Sequence, residues 1–162
     1  MSGCAWVVGD NIDTDVLAPG HLMKLAPHEL ATHCLEAIDP DFAQNVAAGD
    51  FLVAGRNFGL GSSREQAAVS LKLLGLKAVF APSFARIFYR NAINLGLPVF
   101  IFESNDAVSA GDCLDLNIRT GLLRNETRDQ THQLTPLPDN LFSIIEAGGL
   151  MEMLKRRLKE SA

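Results

Sequence analysis

Three short apolar runs, "FLVAG" (51–55), "KAVFAP" (77–82) and "LPVFIF" (97–102), alternate with two segments of helical spacing. The first segment, "SREQAAVSLKLLG" (63–75), closes on a glycine. The second, "SFARIFYRNAINLG" (83–96), places Ser83 as an N-cap and ends at Gly96. A strand–helix–strand–helix–strand order with connections this short demands right-handed crossovers. The strands therefore run parallel in one sheet with helices packed on it.

Other elements extend this α/β centre. "CAWVV" (4–8) reads as a further buried strand, followed by the Asp/Asn-rich turn "GDNIDTD" (9–15) and the proline-bounded loop "APGHLMKLAP" (18–27). "HELATHCLEAI" (28–38) has helical spacing, with Pro27 suited to its start and Asp39-Pro40 to its end. "DFAQNVA" (41–47) is good for one or two more turns. Residues 111–134 alternate apolar and polar around "TG" and "NETRDQ", the pattern of antiparallel hairpins. One or two closing helices follow, interrupted at Gly148-Gly149. The "KRRLK" run near the end is a solvated helix terminus favoured by the helix dipole.

The 162 residues are 48% hydrophobic and 20% charged, enough apolar content for a single domain over 1–162 with a proper core. A net charge of −5 argues against nucleic acid or an anionic membrane as the main partner. No signal-peptide pattern opens the chain, and no apolar run reaches the roughly 18–20 residues needed to cross a bilayer. Cys4, Cys34 and Cys113 lie far apart, which fits reduced thiols in a cytoplasmic protein. Nothing has the spacing of a zinc or iron–sulfur site. His28 and His33 are five apart and do not share a helix face as i, i+4 would. No metal site is expected from this chain alone, and any cluster has to come from another chain.

The segment "GRNFGLGSSREQA" (55–67) joins an apolar run to a helical pattern. Ser62-Ser63-Arg64-Glu65 fits a capping box, with the Ser62 hydroxyl accepting from the Glu65 amide and the Glu65 carboxylate reaching back. The same segment is also where ligands bind in an open parallel sheet, at a strand's C-terminal end. A helix N-terminus directs unpaired amides there, and Arg64 adds a fork suited to a carboxylate. The lysine of a phosphate-binding loop is missing, and so is the G-x-S-x-G elbow of hydrolases. The residues themselves reach a small carboxylate, with serine chemistry as one use of the loop and plain helix capping as the other.

Taken together, "GDNIDTD", "AGRNFGLGSSREQA", "KAVFAPSFARIFYRNAINLGLPV" and "EAGGL" resemble the small subunits of 3-isopropylmalate dehydratases. More broadly the chain is similar to the swivelling domain of the aconitase superfamily, homoaconitase included. The resemblance implies a three-layer β/β/α swivelling domain that closes over an active site on a separate large subunit. It implies that this partner carries a [4Fe–4S] cluster and that the substrate is a hydroxy diacid. The reaction implied is dehydration and rehydration, moving a hydroxyl between adjacent carbons. Ser62 matches the family's serine base, Ser63 and Arg64 match residues that hold a substrate carboxylate, and Asp15 matches an acidic residue at the edge of the site. Ser83, Arg86 and Glu65 are expected to be structural.

In the family, the loop after "DTD" helps choose the substrate. Here it reads His21-Leu22-Met23-Lys24-Leu25, where relatives commonly carry a tyrosine–leucine pair. Histidine stands in place of the tyrosine and methionine at the selecting position. Met23 and Leu25 offer apolar surface to an alkyl group, and Lys24 a point charge to a carboxylate. An isopropyl-substituted malate in leucine biosynthesis leads. Dimethylmalate, methylmalate and homoaconitate remain open, as does a non-catalytic carboxylate-binding module.

Overall fold

A computed structural model describes residues 2–161. In chain order the elements are β1 (Ser2–Val7), α1 (Thr14–Leu17), α2 (Pro27–Ala31), α3 (Phe42–Asn45), β2 (Phe51–Val53), α4 (Glu65–Leu73), β3 (Ala78–Ala81), α5 (Arg86–Asn94), β4 (Val99–Ile101), β5 (Cys113–Asn117), β6 (Leu122–Asn125), β7 (Gln130–Gln133), α6 (Asp139–Ala147) and α7 (Leu150–Glu160). The seven strands form one sheet in the order β4-β3-β2-β1-β5-β6-β7. β1 through β4 are parallel, and β1, β5, β6 and β7 are antiparallel.

The two halves bury themselves differently, and their sequences say why. Every residue of β2 and β3 is buried, as expected for parallel strands covered on both faces by crossover helices. β5 and β6 alternate buried and more exposed positions, because one face meets the core and the other meets solvent. Phe80 stands at the centre of the parallel half, 5.6 Å from the Phe51 ring and 6.1 Å from the Phe100 ring. Burying a phenylalanine of this kind is worth about 1.5–3 kcal/mol over leaving it in water. Asp50 is the polar exception beside β2. Its carboxylate accepts from the Cys4 amide (2.9 Å), the Trp6 indole (3.0 Å) and the Ala47 amide (2.9 Å), so both of its oxygens are paired despite burial.

The expected helix over 28–38 is a correction. α2 stops at Ala31, and residues 32–38 continue as turns. Leu35 takes φ +61° and donates its amide to Val16 O at 3.0 Å. A tertiary hydrogen bond thus ends a run whose apolar spacing favours more helix. The expected N-cap at Ser83 is also corrected. α5 begins at Arg86 with Ala85 in the capping position, and no side chain caps it. The closing helices form as a pair broken at Gly148-Gly149, where Gly148 adopts the left-handed conformation.

Candidate active site

Three loops meet at the C-terminal ends of the parallel strands: 8–13 after β1, 54–64 after β2, and 82–85 after β3. They continue the sheet as irregular backbone. Gly55 N donates to Gly9 O (3.0 Å), Asn11 N to Arg56 O (2.8 Å), Gly59 N to Ile12 O (2.7 Å) and Thr14 N to Leu60 O (2.8 Å). On the other side Phe58 N donates to Ser83 O (3.1 Å) and Ala85 N to Phe58 O (2.9 Å). Side chains add to the clamp. Asp10 accepts from the Arg56 amide (2.7 Å), and Ser83 Oγ accepts from the Asn57 amide (2.9 Å). The glycine loop is therefore a pinned central ribbon. Gly59 is required where it crosses α5: its φ is +83°, and a Cβ there would sit 2.3 Å from the Phe88 ring.

The ribbon ends at Ser62-Ser63-Arg64. The expected capping box does not form. Arg64 N donates to Ser62 O at 2.8 Å, closing a turn that delays the helix, and α4 starts at Glu65 with extended Arg64 as its cap residue. The Ser62 and Ser63 hydroxyls are exposed and have no hydrogen-bond partner among the described residues. The first amides of α4 likewise lack a side-chain cap. Two hydroxyls and a helix N-terminus thus face one open surface.

Arg64 folds back across this surface. Its Nη1 donates to Asp15 Oδ1 at 2.8 Å and to Ala18 O at 3.2 Å. Asp15 Oδ1 also accepts from the Gly20 amide at 2.8 Å. The Arg64 guanidinium and then the Gly20 amide hold the Asp15 carboxyl below its ordinary 3.8. Asp15 sits in the first turn of α1, whose N-cap is Asp13, accepting from Val16 N at 2.9 Å. These bonds use one of Arg64's two terminal nitrogens. The remaining guanidinium N–H groups keep the planar fork available to a second carboxylate.

Four of the residues singled out from sequence are thus brought together: Ser62, Ser63 and Arg64 in one turn, with Asp15 ion-paired to the arginine. The His21–Leu25 loop lies beyond Gly20, which joins it to the same ion pair. His21 and Lys24 are exposed, whereas Leu22, Met23 and Leu25 are half-buried and pack against the core. Arg86 and Glu65 are exposed at the starts of their helices. Sequence reasoning missed the pinning roles of Asp10, Asn57 and Ser83. Their only signal is the density of Asp, Asn and Ser in loops that topology brings side by side. Among the described residues no group of three or more His, Cys, Asp or Glu side chains is placed to hold a metal ion. A groove of about 560 Å³ lies elsewhere, between residues 101–104 and 131–135.

The aconitase C-terminal domain model matches residues 23–104, which is half of the chain and contains the whole Ser62–Arg64 turn. The chain belongs to this family. It is 50% identical over 158 residues to a 3-isopropylmalate dehydratase small subunit 1 from Methanopyrus kandleri, covering 96% of this chain and 93% of that protein. It is 44% identical over 162 residues to a 3-isopropylmalate dehydratase small subunit from Nautilia profundicola, covering 99% and 98%. The crystal structure of a 3-isopropylmalate dehydratase protein from Methanocaldococcus jannaschii superposes with a TM-score of 0.92 at 42% identity, covering 99% of this chain and 96% of that one. The mixed sheet is thus that of the family, parallel and antiparallel halves alike. Among the described residues no helix is long and apolar enough to cross a membrane.

Proposed function

We propose that this chain is the small subunit of a 3-isopropylmalate dehydratase, a hydro-lyase of leucine biosynthesis, working with a large subunit in the cytoplasm. The relatives' shared name supports the substrate and the need for a partner. The observation that carries the reading is the open Ser62–Arg64 turn beside Asp15, at full-length similarity to proteins so named.

The iron–sulfur cluster belongs to this reading only as the partner's. The described residues offer it no ligand set. The chain's own share is anion binding and the proton. Arg64 takes one substrate carboxylate through the donors that Asp15 leaves free, and the Ser63 hydroxyl and the first amides of α4 add to that grip. Ser62 Oγ, as its alkoxide, takes the proton from the carbon beside the carboxylate and becomes the neutral hydroxyl. A free serine is far too weak a base for this, so its conjugate charge must be stabilised by the Arg64 cation and the helix N-terminus. Asp15 holds the arginine in position and keeps its charge compensated when substrate is absent. Met23 and Leu25 present the apolar surface that an isopropyl group needs.

The test is co-expression with the large subunit, anaerobic cluster reconstitution, and ultraviolet detection of the unsaturated diacid. Ser62→Ala is expected to abolish turnover while the two subunits still co-purify. Near-normal turnover in that variant would reject the serine's role.

A further inference from the structure

Cys4 and Cys113 are opposed Cα partners in the β1–β5 ladder. The Cys4 amide donates to Asp50 Oδ1 at 2.9 Å and the Cys113 amide to Thr127 Oγ1 at 2.8 Å. The Cys113 carbonyl accepts from the Glu126 amide at 2.8 Å. The two cysteines therefore exchange no backbone bond with each other. They occupy a non-hydrogen-bonded position, where opposed Cα atoms approach to about 4.5 Å and both side chains leave the same face. A disulfide needs Cα atoms roughly 4.4–6.8 Å apart, so the ladder already supplies the span.

Their surroundings separate them from the third cysteine. Cys34 is fully buried, and burial pushes its thiol up, out of reach of thiol chemistry. Cys4 is exposed and Cys113 half-buried, so both meet solvent. The Cys113 thiol donates to Glu126 Oε2 at 3.3 Å, while Ser2 Oγ donates to Glu126 Oε1 at 2.9 Å. The Glu126 carboxylate holds the Cys113 thiol above its ordinary 9.0, and charge on the neighbouring Cys4 raises it further. A groove of about 380 Å³ lined by Cys4, Ala5, Trp6, Ala110 and Gly111 opens beside the pair and gives a reagent access to Cys4.

We propose that Cys4 and Cys113 form a reversible dithiol pair, closed to a cross-strand disulfide by a small-molecule disulfide of the glutathione type. Cys4, as thiolate, attacks one sulfur of the oxidant and releases one thiolate, leaving a mixed disulfide. Cys113 gives up its proton to solvent, attacks Cys4 Sγ and expels the second thiolate. The chain loses two protons and two electrons and gains one S–S bond; the oxidant gains both pairs and leaves as two thiols. The product ties the antiparallel half of the sheet to the strand that begins the parallel half. It closes a loop over residues 4–113, which holds β2, β3, β4 and the Ser62 turn.

The test equilibrates the full chain in buffers of reduced and oxidised glutathione, alkylates the remaining thiols, and maps the products by intact mass and peptide mass spectrometry. Oxidation is expected to remove two alkylatable thiols, to yield one intrachain Cys4–Cys113 peptide, and to reverse fully with dithiothreitol. Cys34→Ser is expected to behave as the unmodified chain, and Cys4→Ser to lose closure. Mapping of the unmodified chain reads the pairing without any variant, so a folding defect at position 113 does not decide the outcome. Persistent glutathione on Cys4 without ring closure, a disulfide between two copies, pairing through Cys34, or two thiols still free would each overturn the proposal.

Discussion

Replacing Gly59 by alanine puts the pinned ribbon to a quantitative test. Gly59 sits at φ +83°, a region that costs an L-residue roughly 1–2 kcal/mol. The new Cβ would meet Phe88 at Cγ (2.3 Å), Cβ (2.4 Å) and Cδ2 (2.8 Å). Phe88 has no easy escape: it is 2% exposed, and the Phe58 and Phe84 rings flank it at 5.0 and 6.2 Å. Overpacking of this sort costs about 1–3 kcal/mol. The two effects together give a loss of about 2–5 kcal/mol. Gly111→Ala separates them, because Gly111 has φ +88° with nothing within 4 Å of the added atom. It should cost the backbone share alone, about 1–2 kcal/mol. Urea unfolding, followed by the fluorescence of the single tryptophan Trp6 and by circular dichroism, measures both. If Gly59→Ala costs no more than Gly111→Ala, the packing of this loop against α5 is not what fixes its path. Because Ser62 follows three residues later, catalysis in the assembled enzyme is expected to fall beyond what the stability loss explains.

Other outcomes follow from the same geometry. Arg64→Lys keeps the charge but loses the fork bonded to Asp15 and Ala18; under the proposed carboxylate-binding role, steady-state kinetics of the complex should show kcat/KM down by about 10- to 100-fold. Its unfolding midpoint should hardly move, since partly exposed ion pairs are worth about 0–1 kcal/mol. Ser83→Ala removes the acceptor for the Asn57 amide and should cost about 1–3 kcal/mol by urea unfolding, with Ser83→Thr recovering part of it. The Asp15 and Asp112 carboxyls are both held below their ordinary 3.8, Asp15 chiefly by Arg64 and Asp112 chiefly by the Ser109 amide. The unfolded chain therefore binds protons first as pH falls. Their contribution is complete above about pH 4 and disappears as pH drops through the folded-state values. Urea midpoints at pH 7 and pH 3 should differ less in Asp112→Asn than in the unaltered chain.

What could be read from the residues divides along sequence distance. The β2-α4-β3-α5-β4 run was legible because each strand is a short, wholly apolar stretch and each helix closes near a glycine. The antiparallel half was legible from strict alternation around "TG" and "NETRDQ". The Ser62–Arg64 turn stood out because serine, arginine and glycine cluster within a few residues. Its detail was not, because the competitor to the capping box is a local Arg64-to-Ser62 backbone bond combined with an arginine drawn towards Asp15, 49 residues earlier. Ser83 went the same way: a serine before a helix looks like a cap until Asn57, 26 residues back, claims its oxygen. α2 stops short for Val16. The Cys4–Cys113 register was equally invisible, since hairpin patterning does not say which strand lies beside the hairpin.

β1 serves its two neighbours in succession rather than side by side. Ser2–Cys4 lie against β5, and Ala5–Val7 lie against β2. The fastening of the antiparallel half to the remainder of the sheet is therefore short: Ser2–Cys4 in register with β5, and Ala5, whose amide donates to Asp112 O and whose carbonyl accepts from the Gly111 amide, both at 2.8 Å. A bulky group attached at Ser2 would strain that fastening rather than the Ser62 turn.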